Sequence, residues 1–181
     1  LKQCLEAFIR HRRDVVTRRT VFDLRKARQR AHILEGLAVA LANIDEVIQL
    51  IKSSPNRAVA KDALMARSWE PGAVTGMLER SGSIATRPDD LEAGFGLVAD
   101  GYRLSEAQTQ AILDLRLHQL TGLEQDKIVG EYQELLALID ELLAILQDPE
   151  RLMQVIHDEL AELRDRYGDA RRTEILTDHL D

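Results

Sequence analysis

One cysteine, Cys4, is all that 181 residues provide. It excludes a disulfide framework within the chain and fits a reducing, cytoplasmic setting. Aromatic residues are scarce, 4% of the total, where a sheet-rich domain would carry more Val, Tyr, Thr and Phe. Only four prolines interrupt the chain, so long stretches are free to stay helical. No run approaches the ~18–20 apolar residues of a membrane span, and no signal peptide is visible, so no membrane partner is expected. The first residue is Leu1 rather than Met, in what reads as mid-helix, and the sequence is taken as an excised fragment.

Leu, Ala, Glu and Arg dominate instead, the composition of helical bundles and coiled coils. Charge is unevenly placed. Residues 1–30 hold ten Lys/Arg against three Asp/Glu in a chain of net charge -7. That end is +7, which leaves -14 on the remaining 151 residues. An acidic chain with one basic end is not a general nucleic-acid binder, but it can set that end beside phosphates.

Residues 2–52 contain no proline and one glycine, Gly36. A continuous helix of that length would span about 75 Å. Its apolar stripe, Ala27, Ala31, Leu34, Ala38, Leu41, then Ile48 and Ile51, alternates steps of four and three, the 3.5-residue period of a seam facing another helix. Asn43 followed by Glu46 can cap a new helix, so a kink is expected near Asn43. The last long segment opens at Thr121-Gly122-Leu123-Glu124, read as a capping box. Its stripe is Ile128, Tyr132, Leu135, Ile139, Leu142 and Leu146, resuming at Met153, Ile156, Leu160, Leu163 and Tyr167. Asp148-Pro149 between the two halves reads as an N-cap with proline at the first helical position. Two such segments flanking a middle stretch suggest a chain that goes out on one helix and returns antiparallel on another.

The middle reads as short helices. One starts at Ser54-Pro55 and runs to about Arg67, with Val59, Ala63 and Leu64 inward. Another starts at Pro71, with Val74, Met77 and Leu78 inward. Residues 82–101 are loop-rich. Ser105 with Gln108 is a capping box opening a helix from Glu106 to Leu120. On that helix Ala111, Ile112 and Leu115 form one apolar face, and Leu113, Leu117 and Leu120 form another. Either it packs on its own tip and on something else, or both faces are buried within one subunit.

No catalytic constellation stands out. His11, His32, His118, His157 and His179 are isolated, without metal-ligand spacing. Cys4 reads as an inert thiol. Gly94-Phe95-Gly96 has no preceding strand and reads as a turn. No metal or cofactor site is expected. The run containing Arg12, Arg13, Arg18 and Arg19 is either a solvated coil face offset by acids on the return helix or a surface that guides DNA phosphates.

Several strings also resemble a known family: Arg10-His11-Arg12-Arg13, Val16-Thr17-Arg18-Arg19-Thr20, Ala31-His32-Ile33-Leu34-Glu35-Gly36 and Leu41-Ala42-Asn43-Ile44-Asp45. Later come Gln110-Ala111-Ile112-Leu113-Asp114-Leu115-Arg116-Leu117, Leu120-Thr121-Gly122-Leu123-Glu124, and Gly168-Asp169 before Arg171-Arg172-Thr173-Glu174-Ile175. Seven strings in order resemble the A-subunit family of bacterial DNA gyrases, type IIA topoisomerases. The C subunit of topoisomerase IV and a coiled-coil spacer of a chromosome-organising ATPase are the alternatives; a hydrolase lacks any nucleophile–base pair. The resemblance implies an all-α fold, a long antiparallel coiled coil capped by a small helical globular tip that dimerises. Residues 1–52 are the outgoing helix, 53–122 the tip, 123–167 the returning helix and 168–181 a tail leading to the next domain. It implies a DNA exit gate whose two-fold contact involves Gln108, Ala111, Ile112, Leu115, Arg116, Gln119, Leu120, Thr121 and Gly122, with Arg116 also meeting gyrase-poisoning toxins. It implies a homodimer in a bacterial cytoplasm. The implied partners are double-stranded DNA and the gyrase B subunit, through which ATP and Mg²⁺ are used. The nucleophilic tyrosine is expected outside this fragment.

Overall fold

The structure, a computed structural model, describes residues 1–72, 76 and 86–174. The expected apolar stripe is met in part: Ala27, Ala31 and Leu34 are buried, whereas Ala38, Leu41, Ile48 and Ile51 are half-buried beside buried Leu37, Val39, Ala40 and Val47. Helix α1 (Lys2–Ala42) buries Val16, Thr20, Leu24, Ala27, Ala31 and Leu34, again in steps of four and three. Asn43 stops it. The Asn43 side-chain amide donates to the Val39 carbonyl and to the Glu70 carbonyl, each at 2.8 Å. Helix α2 (Ile44–Ser53) then restarts the chain. The break falls where expected, but Asn43 caps nothing forward: its side chain turns back onto α1 and across to Glu70.

Helices α3 (Arg57–Ala66) and α4 (Glu106–Leu113) bracket a small sheet of β1 (Ser68–Trp69), β2 (Gly96–Val98) and β3 (Gly101–Arg103). The strands are antiparallel in the order β1-β3-β2, with Trp69 and Leu97 both opposite Tyr102. Gly101 is required here: it lies at φ 137°, and a Cβ would sit 2.7 Å from the Trp69 carbonyl. Trp69, Tyr102 and Leu104 are fully buried. The chain is therefore mostly helical rather than all-α. In α3 the cap is Asn56, whose side chain accepts from Val59 N at 3.0 Å, not Ser54. The buried face is Ala60 and Leu64, while Val59 is exposed. The expected helix with Val74, Met77 and Leu78 lies outside the described residues.

A short 3₁₀ turn (Leu117–Leu120) leads to α5 (Gly122–Gln147) and α6 (Pro149–Tyr167). Asp148 accepts from Glu150 N at 2.9 Å, with Pro149 opening the helix, as the Asp-Pro pair indicated. Thr121 is the N-cap of α5 without a capping bond; its hydroxyl donates back to His118 O at 3.2 Å, so no capping box forms. Helix α5 buries Tyr132, Ile139, Leu142 and Ile145. Each such side chain contributes about 1.5–3 kcal/mol when removed from water. Past Pro149 the buried position is Ile156, with Leu152, Val155 and Leu160 half-buried, whereas Met153, Leu163 and Tyr167 are exposed. Of the expected second half of the stripe only Ile156 and Leu160 leave solvent, so it is only partly used.

Helices α1 and α5–α6 run antiparallel: Glu35 meets Tyr132, and Arg12 and Arg19 meet Glu159. Residues 168–174 carry no helix, and the rest of the tail lies outside the described residues.

Candidate docking surface and a buried polar cluster

The helix expected over 106–120 ends at Leu113. Its capping box is present: Ser105 N donates to Gln108 Oε1 at 2.9 Å and Gln108 N to Ser105 Oγ at 3.4 Å. Asp114 follows its last turn. Arg57 holds the Asp114 carboxylate at 2.5 Å, and the Gln110 amide donates to it at 3.1 Å. Arg116 is then extended (φ -89°, ψ 147°), and its N–H donates to Gln119 Oε1 at 2.8 Å. The two faces imagined for one continuous helix therefore do not exist.

The same break divides the expected contact residues. Gln108 is fully buried and Ile112 nearly so; both belong to the interior, because they are the face α4 turns to α1. Ala111, Leu115, Gln119 and Leu120 are half-buried, and Arg116, Thr121 and Gly122 are exposed. What remains on the surface is a turn, Leu115–Gly122, at the far end of the helix pair from Glu159.

A separate cluster of polar side chains is buried where α1, α4 and β3 meet. The Gln108 amide nitrogen donates to His32 O at 2.6 Å and to the Tyr102 hydroxyl at 2.7 Å, and lies 3.2 Å from His32 Nδ1. His32 Nε2 is 2.7 Å from Ser105 Oγ. The amide orientation follows from its partners, since a carbonyl must face NH₂ and the Ser105 N–H must face the amide oxygen. An NH₂ group cannot accept, so the Nδ1 lone pair faces it and the ring proton sits on Nε2, directed at Ser105. An imidazole so arranged does not take a proton from serine. Ser105 works here as a helix cap and His32 as its donor.

Glu35, one turn beyond His32, accepts from Tyr132 Oη at 2.8 Å and Tyr102 Oη at 3.0 Å. Burial pushes its carboxyl above the usual carboxylate range, opposed by bonds from Tyr132, Tyr102 and Thr86 and by the charge of Arg87. Burial also lowers His32 to about 4, aided by Arg87 and opposed by Asp90. Both phenols are pushed up by burial and by Glu35. Arg87 also closes the loop before β2, donating to Phe95 O at 2.8 Å, to Leu91 O at 3.1 Å and to Glu92 O.

The basic stretch is partly tied down. Arg12 and Arg19 both pair with Glu159 on α6, and Arg18 Nε donates to Asp14 O at 3.3 Å. Arg13 lies beside Glu150, Met153 and His157. The sequence reading did not find Glu35, Tyr102 and Tyr132 as a group. The available signal was Gly36, a lone glycine within a long helix, which marks the close approach of Gln108.

The family model for the A subunit of DNA gyrase/topoisomerase IV matches residues 1–161. The DNA gyrase A subunit of Pseudomonas aeruginosa is 60% identical over 181 residues, all of this chain and 20% of that protein. Its counterpart in Salmonella typhimurium is 58% identical over 181 residues, 21% of its length. The Escherichia coli counterpart is 62% identical over 133 residues, 73% of this chain and 15% of that protein. The chain thus spans about a fifth of the curated relatives it matches.

Proposed function

Since this chain belongs to the A-subunit family of DNA gyrase and topoisomerase IV, we propose that it is the arm and dimerising tip through which two A subunits meet and close an exit gate for DNA. In this reading α1 with α5–α6 is an antiparallel coiled coil. Residues 1–52 go out, 53–122 form the tip, 123–167 return and 168–181 lead onward. The carrying observation is the disposition of two groups: Arg12 and Arg19 meet Glu159 at one pole, while the Leu115–Gly122 turn lies at the other. A module that joins two subunits far from their catalytic parts needs both chain ends together and the contact remote.

The turn offers half-buried Leu115 and Leu120 beside exposed Arg116, Thr121 and Gly122. Mixed contacts of this kind suit an interface that must hold and still open. A two-fold contact uses one patch twice. Exposed Arg116 is the position where a gyrase-poisoning toxin would act. The segment carries no catalysis in this reading. The parent, a cytoplasmic topoisomerase, acts on double-stranded DNA with a B subunit that uses ATP and Mg²⁺. Gyrase is favoured over the topoisomerase IV counterpart and over a chromosomal spacer because the Pseudomonas aeruginosa and Salmonella typhimurium relatives, which cover the whole chain, are gyrase A subunits.

Light scattering of the chain over a concentration series tests this. A dimer that Leu120→Asp converts to monomer is expected. A monomer at every concentration removes the reading.

A further inference from the structure

We propose that Gln119 is a positioning residue of the docking turn: it pins the backbone of Arg116 from within its own chain, so that the turn meets a second copy already in shape. Both main-chain polar groups of Arg116 go to Gln119. The Arg116 N–H donates to Gln119 Oε1 at 2.8 Å, and the Gln119 N–H donates to the Arg116 carbonyl at 2.9 Å. The family resemblance implied that Gln119 touches the partner. Its half-buried side chain is instead turned back along its own turn.

Extended residues flank the turn, Arg116 (ψ 147°) on one side and Thr121 (ψ 151°) on the other. A single 3₁₀ turn between such residues is marginal by itself. Its side-chain bonds divide by end. At the far end the Thr121 hydroxyl donates to His118 O at 3.2 Å and the Gln125 amide to Leu120 O at 3.4 Å. At the entrance, just after Leu115 packs on the core, the bond is that of Gln119. The Arg116 guanidinium has no hydrogen-bond or ion-pair partner among the described residues, so its place follows from the backbone that carries it. A turn already ordered loses less freedom on docking. A two-fold contact uses the turn of each copy, so any loosening counts twice. The inference rests on the docking reading above.

Two variants test it. Gln119→Met keeps the length of the side chain and removes the acceptor. Gln119→Glu keeps an acceptor and removes the amide donor. Self-association of the full chain is measured by sedimentation at about 0.5 M salt, where exposed charge is screened. Gln119→Met should weaken it by up to about 25-fold, about fivefold for the bond lost in each turn. Gln119→Glu should restore most of that loss. Hydrogen-exchange mass spectrometry, at a dilution where the chain is monomeric, gives the second reading. In Gln119→Met the peptide 114–120 should exchange about fivefold faster, with peptides from 132–146 unchanged. Native association in Gln119→Met overturns the proposal and leaves the docking reading standing. Equal weakening by Gln119→Glu also overturns it, because Gln119 would then be a direct contact. Faster exchange in both peptides overturns it as well, since the whole fold would have loosened. A native chain that stays monomeric removes the docking reading itself, and this inference with it.

Discussion

Gly36 and Gln108 touch so closely that a methyl group on the glycine would lie 2.6 Å from Gln108 Cγ and 2.7 Å from its Cβ. Elsewhere in a helix, exchanging Gly for Ala stabilises by about 1 kcal/mol. Here the sign reverses. The stem of Gln108 stands in the way, and its amide is held by the Ser105 N–H, the His32 carbonyl and the Tyr102 hydroxyl. Gly36→Ala should lower stability by about 1–3 kcal/mol, read by thermal unfolding. An unchanged or raised midpoint would show that Gln108 moves aside freely.

Tyr132→Phe should cost about 1–3 kcal/mol, because it strips a donor from a buried carboxylate. Tyr102→Phe should cost at least as much, since Gln108 loses an acceptor as well. Both phenols serve Glu35, so the double variant should depart from additivity in urea unfolding. Strict additivity would mean that the two bonds are independent.

His32 gives stability a pH dependence. Its folded pKa is about 4 against 6.5 for the free group. Between those values the unfolded chain binds more protons, so stability falls as pH drops through that window, by up to about 3 kcal/mol. Glu35 acts in the opposite sense: its raised pKa means that the folded chain takes up protons first, and acid relieves its burial. Arg87 and Asp90 are the other charges facing the ring. Comparing unfolding midpoints with His32→Gln isolates the histidine. The variant should lose less stability on acidification, and parallel pH curves would refute the assignment.

Asp148→Ala should cost about 1 kcal/mol, the ordinary loss of an N-cap. Its effect should be confined to the first turn of α6, where Glu150 N loses its acceptor. Amide exchange of Glu150 against Leu142 reads this directly.

The cationic residues divide by role. Arg12 and Arg19 hold Glu159, so reversing them would disturb the arm itself. Arg13→Glu with Arg18→Glu is the cleaner probe. If this face meets DNA, the pair should weaken duplex binding by the intact parent at low salt and flatten its salt dependence, with unfolding unchanged. Identical salt curves would leave a solvated helix face.

What could be read from the amino acids alone follows from range. The seam residues Ala27, Ala31 and Leu34, the break at Asn43, the Asp148-Pro149 restart and the Ser105–Gln108 cap are local patterns, and the structure contains each. The sheet was not legible, because strands of two and three residues are too short to show alternation. The end of α4 at Leu113 was not legible either: Asp114 just past it pairs with Arg57, 57 residues away, and Arg116 is extended, neither of which a window of periodicity contains. The interior position of Gln108 was missed for the same reason: its partners His32 and Tyr102 come from distant parts of the chain, and a glutamine three residues after a serine looks like a cap alone.

Trp69, the chain's one tryptophan, sits in β1, buried, with its indole N–H on Leu64 O at 3.0 Å and the Arg67 guanidinium 4.9 Å from its ring centre. The long helices contain no indole at all. Emission therefore reports the small sheet, while far-ultraviolet ellipticity is dominated by α1, α5 and α6, so ordinary optical spectroscopy can follow the two regions separately without any introduced label.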